Sequence, residues 1–141
     1  MSIVSNDISS SQSLLVTDEL RHGAERLLQL LVQKLSGVKG AVITTSDGFE
    51  VAVQVVSDTD GAKLSAMASS ISAIGNMAVQ ETGLGEVHQS ITIEGDEGYI
   101  FIMDIHHPKC PMILNIITSK SAVLGQVVYY ARHIVNKLSE M

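Results

Sequence analysis

The chain has little cysteine, little charge and no long hydrophobic run. A single cysteine, Cys110, among 141 residues leaves no internal disulfide, as in proteins kept in a reducing compartment. Charged residues make up 17% of the chain, and its nine Lys and Arg are scattered under a net charge of −6. No basic patch is left for a phosphate backbone or an anionic lipid surface, which speaks against nucleic-acid and membrane partners. No apolar stretch approaches the roughly 20 residues of a spanning helix. The start, Ile3-Val4 followed by Ser5-Asn6-Asp7 and a serine run, lacks the basic opening and apolar core of a signal peptide. A cytoplasmic protein without membrane insertion is expected.

What the chain does have is material for burial: 45% of it is hydrophobic, at the length of one ordinary domain. Residues 1–16 are Ser-rich and show no helical or strand period, so they read as a flexible lead-in to a domain over 17–141. Thr17 caps a helix with Asp18 and Glu19 in its first turn and Leu20, Ala24, Leu27, Leu28, Leu31 and Leu35 at helical spacing up to Gly37. Gly40–Thr45 and Phe49–Val56 flank the turn signal Ser46-Asp47-Gly48 and predict a hairpin. A second helix follows from about Gly61 to Glu81, stopped by Gly83 and Gly85. Three strands come next: Val87–Glu94, Tyr99–Ile105 and Met112–Thr118. A last helix, capped by Ser119 or Ser121, carries Leu124, Val127, Val128, Ala131, Ile134, Val135 and Leu138 on one side.

That order, α-β-β-α-β-β-β-α, predicts an α/β (α+β) fold with a single five-stranded antiparallel sheet and helices on both faces. Tyr99–Met103 and Met112–Ile117 are apolar on both faces, so the middle of the sheet must be covered twice.

The middle helix carries the functional expectation, because Leu64–Gln80 contains no charged residue. Leu64, Met67, Ala68, Ile71, Ile74 or Gly75, and Ala78 form the stripe expected to pack on the sheet. The opposite side, Ala62, Ala66, Ser69, Ser70, Ala73, Asn76 and Met77, is small enough for another helix to come close. The first and last helices are needed on the other sheet face, so the expected cover is a second copy related by a twofold axis. In Val87–Glu94 the outward residues His88, Ser90 and Thr92 lack the lysine or proline that blunts an edge; at a sheet edge the same twofold would pair this strand with its copy. The expected interface is therefore Ala66, Ser69, Ser70, Ala73, Asn76, Met77, His88, Ser90 and Thr92.

Other constellations reduce to structure. His106, His107 and Cys110 offer metal-ligand chemistry, but adjacent histidines point apart and a closed site needs four compatible ligands. Gly83-Leu84-Gly85 follows a helix and precedes a strand, the reverse of a phosphate cradle. Asp47, Asp58 and Asp60 sit where side chains bond the backbone of turns and caps. There is no G-x-S-x-G elbow, and nothing near Cys110 marks it as a nucleophile. No catalytic residue, metal or cofactor is expected.

Gly37-Val38-Lys39-Gly40-Ala41-Val42-Ile43 and Asp47-Gly48-Phe49-Glu50-Val51-Ala52 resemble the opening hairpin of roadblock-type domains, relatives of dynein light chains. Leu64–Ser70, Val87–Gly95 and Gly98–Ile102 are similar to that family's second helix and third and fourth strands, and Leu124-Gly125-Gln126-Val127 to its final helix. The likeness runs from about Thr17 to Leu138 and is greatest to the prokaryotic branch that includes MglB-like regulators of Ras-like GTPases in gliding and cell polarity. It implies a roadblock/profilin-like fold, a homodimer built through the second helix and third strand, and a non-catalytic regulator or scaffold for a small Ras-like GTPase, extending to stimulation of GTP hydrolysis. Were an arginine donated to that partner, it would come from Arg21, Arg26 or Arg132; reshaping of the partner's own site is the favoured expectation. The alternatives are a small-ligand-sensing domain and a purely structural subunit of a larger complex.

Overall fold

The structure, a computed structural model, describes residues 15–55 and 60–141. The lead-in up to residue 14 and the cap assigned to Asp58 lie outside these residues. The elements are α1 (Asp18–Lys34), β1 (Val38–Thr45), β2 (Glu50–Val55), α2 (Gly61–Glu81), β3 (Ile91–Glu94), β4 (Gly98–Ile105), β5 (Met112–Ser119) and α3 (Leu124–Ser139). The sheet is antiparallel throughout with strand order β2-β1-β5-β4-β3, so β2 and β3 are its two edges. The element order and the five-stranded sheet are those expected from the residues.

Local chemistry fixes the elements. Thr17 Oγ1 accepts the Leu20 N–H at 3.1 Å and caps α1, while Leu20, Ala24, Leu28 and Leu31 form its buried stripe. In the hairpin turn Thr45 Oγ1 donates to Asp47 Oδ1 at 2.6 Å and accepts the Phe49 N–H at 3.0 Å. The β1–β2 register slips between Ile43 and Thr44, leaving Val51 without a Cα partner; the carbonyl of this bulge residue is taken by Arg21 Nη1 at 2.9 Å. A bulge and a side-chain cap close this edge to a further strand.

The helices divide as the apolar strands require. α1 packs on β1 and β2 and α3 on β4, with the two helices also touching. With the sheet they enclose the larger core, which includes Leu28, Leu31, Ile43, Leu114, Ile116, Ile134 and Leu138. α2 crosses the other face over a smaller cluster of Ala68, Ile102 and Ile113, with Ile71, Ile91 and Ile100 partly buried around it.

Three expectations are corrected. α2 buries Leu64, Ser65, Ala68 and Ser72: of the expected stripe Leu64 and Ala68 are buried and Ile71 and Gly75 half-buried, while Met67, Ile74 and Ala78 face outward and Ser65 and Ser72 take inward places. Close approach decides between Ile74 and Gly75, since a Cβ on Gly75 would come within 2.5 Å of Ile91 Cδ1; the helix turns Gly75 toward the sheet and Ile74 away from it. The third strand begins at Ile91, not Val87, because side chains of α2 hold the preceding segment. α3 is preceded by Val123 with no side-chain cap, while the hydroxyls of Ser119 and Ser121 bond each other at 2.7 Å.

Candidate functional site

The outer side of α2 is apolar and open. Met67, Ile74 and Met77 are 50%, 64% and 62% exposed, interspersed with exposed Ala62, Ala66, Ser70 and Ala73. Helical spacing puts Met67 and Ile74 on the side of Ile71, which, like Ile91 and Ile100, packs against the cluster of Ala68, Ile102 and Ile113. Beyond Ile71 the sheet is only partly covered: exposed Ile93 and half-buried Ile100 and Ile117 stand in one row across β3, β4 and β5 and line a cleft of about 390 Å³. Beside it runs the outer edge of β3, Ile91-Thr92-Ile93-Glu94, with no bulge in its pairing to β4. Its one charge, Glu94, is met by Lys120 Nζ at 2.6 Å, with the ammonium 4.6 Å from the Tyr99 ring centre. The hydrogen bond from Lys120 to Glu94 raises the lysine pKa. The two sheet edges thus differ: β2 is bulged and capped, β3 regular and apolar.

Of the residues singled out in the sequence, Ala66, Ser70, Ala73, Met77, Ser90 and Thr92 are exposed. Ser69 is half-buried and its hydroxyl donates to the Ser46 carbonyl at 2.7 Å. Asn76 turns inward, its Oδ1 accepting the His88 N–H at 2.9 Å. His88, expected to face outward, is buried. A polar stripe of α2 at i, i+4 and i+8 causes this: Ser72 reaches the His88 ring, Asn76 its backbone, and Gln80 Nε2 the Glu86 carbonyl at 2.8 Å.

Ser72, which no motif in the sequence marks, joins His88 to Asp104. Its Oγ lies 2.9 Å from His88 Nε2 and donates to Asp104 Oδ1 at 2.7 Å, with His88 Nε2 itself 3.4 Å from that carboxylate oxygen. A carboxylate only accepts, so the serine proton points to Asp104 and Ser72 accepts from Nε2–H, which assigns the tautomer. In a nucleophilic triad the serine proton must go to imidazole. Here it goes to the carboxylate, and Ser72 is buried, so the cluster ties α2 to the segment before β3 and does not activate an attacking oxygen. No spacing in the sequence reveals the trio, because Ser72, His88 and Asp104 meet only through the fold.

The remaining candidates are accounted for locally. His107 Nδ1 accepts the N–H groups of Lys109 and Cys110 at 3.1 and 3.0 Å, and its Nε2 bonds the Met141 carbonyl at 3.0 Å; both nitrogens are occupied. Burial, aided by the Asp47 charge, raises the Cys110 thiol pKa, the opposite of what a thiolate nucleophile needs. Asp60 Oδ1 accepts from Ala62 and Lys63 at the start of α2. Gly83, at φ 71°, lets the Leu84 N–H return to the Val79 carbonyl at 3.0 Å and ends the helix. Of the three arginines, Arg21 is committed to the β2 bulge, whereas Arg26 and Arg132 are exposed.

The Roadblock/LC7 domain profile matches residues 24–107, from within α1 to just past β4. The chain belongs to the Roadblock/LC7 domain family. Two uncharacterised proteins of Methanocaldococcus jannaschii are each 27% identical to this roadblock chain over 112 residues, 79% of it and 94% of the relative. Among solved structures, a Roadblock/LC7 domain from Streptomyces avermitilis superposes with a TM-score of 0.73 at 20% identity, covering 81% of this chain and 92% of the other. The gliding protein MglB of Thermus thermophilus superposes at 0.78 with 13% identity, covering 88% and 91%. At these identities the structural matches establish the shared fold. Among the described residues of the roadblock chain, no helix is long and apolar enough to cross a membrane.

Proposed function

We propose that this roadblock domain works as a homodimer, paired through α2 and the β3 edge, and acts as a non-catalytic regulator or scaffold for a small Ras-like GTPase. The observation that carries the dimer is the apolar surface of Met67, Ile74 and Met77 beside the partly covered row Ile93–Ile100–Ile117 and an unblunted edge strand. A single chain gains nothing by leaving so much methyl-rich surface in water. A twofold copy buries it on both subunits at once and continues the sheet from β3 to β3, which is how an interface of the roughly 1,200–2,000 Å² typical of stable complexes is reached. The GTPase is supported by family membership, by the resemblance to MglB-like regulators and by the fold shared with MglB, one of whose structures is described as having a tetrameric arrangement. On this reading the partner meets the surface around the paired α2 helices, and neither Arg26 nor Arg132 enters its nucleotide site.

The test combines light scattering with nucleotide-dependent pull-down. The wild-type chain is expected to run as a dimer and Ala73→Glu as a folded monomer, and the dimer is expected to retain a Ras-like GTPase in one nucleotide state. A wild-type monomer removes the interface, and a dimer that ignores the nucleotide state leaves a structural subunit in place of a regulator.

A further inference from the structure

On the opposite layer, away from α2, the two remaining helices leave a furrow that the dimer does not use. α1 and α3 run antiparallel: the Met141 side chain lies against Gly23, near the start of α1, while Lys34, at its end, shares a cleft with Tyr130 and His133. Leu27, Leu31 and Ile134 line the furrow, with Leu30 and Tyr130 beside them. Leu30 is 43% exposed although it sits mid-helix.

Among the described residues, no acidic side chain lines this furrow. Lys34 and His133 line it directly. At about 100° per residue, Arg26 stands one turn before Leu30 and Lys137 one turn after His133, on the same sides of their helices. All four are exposed, and none takes part in an ion pair among the described residues. Glu25, the acid of α1 nearest in sequence, falls about half a turn away from the furrow, and exposed Glu140, one turn beyond Lys137, marks the groove's end. In a chain of net charge −6, a cationic rim around an apolar floor is a local reversal of the overall character.

We propose that the α1–α3 groove is a docking site for an acidic amphipathic helix of a partner protein. A helix laid along two antiparallel helices inserts one or two large apolar side chains between them and places its flanking Asp and Glu against Arg26, Lys34 and Lys137, with the His133 ring offering a further N–H. The concavity selects against a flat lipid surface, and the positive rim selects against a basic segment. The site lies on the other side of the sheet from α2, so a homodimer would carry two such grooves, and the proposal stands whether or not the GTPase reading does.

The probe is a synthetic 18-residue helix with Leu at i, i+3, i+4 and i+7 and Glu on both flanks, titrated by calorimetry into the full chain at low salt. Saturable binding is expected, weakened at least about tenfold by the double variant Lys34→Glu/Lys137→Glu and by Leu30→Ser, and weakened again by added salt. Ala73→Glu, which addresses α2, should leave the titration unchanged and so separates failure of the dimer from failure of the groove. The altered side chains are exposed, and circular dichroism confirms that the variants stay folded. Four results overturn the proposal: equal binding of a peptide with Lys in place of Glu; affinity indifferent to the three groove substitutions; binding only after residues 1–14 are removed, which makes the chain's own segment the occupant; or capture of phosphatidylglycerol vesicles where the peptide fails.

Discussion

Ser72 illustrates how much one hydroxyl can hold. It links the helix expected to form the dimer, the strand next to the exposed edge and the segment between them, through Asp104 and His88. Removing it leaves a buried imidazole N–H and a carboxylate oxygen short of partners, so Ser72→Ala should destabilise the chain by about 1–3 kcal/mol in urea. Combined with Asp104→Asn it should fall well short of additivity, whereas simple summing of the two losses would dissolve the network. Cys110 makes a second prediction at this scale. Its folded pKa lies above the ordinary 9.0, chiefly through burial, so the neutral thiol stabilises the fold fully below pH 9.0, and that contribution is lost as pH rises through the folded value. Stability measured from pH 8 to 10.5 should decline, and Cys110→Ala should flatten its part of the decline.

Among the elements, the strands are placed by contacts that tolerate little. Gly98 opens β4 opposite Ser119, where an added Cβ would run into the Thr118 carbonyl oxygen. Gly98→Ala is therefore expected to cost about 2–4 kcal/mol, read as a lower denaturation midpoint. At Gly125, near the start of α3, an added methyl would meet nothing within 4 Å; Gly125→Ala should be neutral or stabilise by up to about 1 kcal/mol. A similar loss at both sites would mean that β4 and β5 do not meet there. The edges follow the same logic: β2 spends a bulge and an arginine on closing itself, while β3 has only the Glu94–Lys120 pair at its end.

For the whole molecule, the sheet has a thick layer on one side and a thin one on the other. α1 and α3 together cover one face with most of the core, whereas α2 alone covers the second and leaves Ile93 exposed and Ile100 and Ile117 only half-buried. That imbalance supports a second copy on the α2 side. The light-scattering comparison with Ala73→Glu is the measurement at this scale, and the helical-peptide titration examines the thicker side independently.

Periodicity and turn chemistry determined the element order, the division of helices between the faces, the bounds of α2 and the starts of α1 and β5, because those depend on neighbours within a few residues. The absence of charge from Leu64 to Gln80 likewise marked the outer side of α2 as free of charged residues. Which residues of the α2 stripe meet the sheet was decided by the tertiary structure: apolar spacing offered Leu64, Ala68 and Ile71 correctly and left Ile74 or Gly75 open, but the close approach at Ile91 admits Gly75 and not Ile74, and buried Ser72 is held by polar partners that spacing does not show. His88 was hidden for a related reason. Alternation along Val87–Glu94 assumes a ladder, yet Ser72, Asn76 and Gln80 offer that segment competing hydrogen bonds, and partners brought together only by folding leave no trace in local spacing.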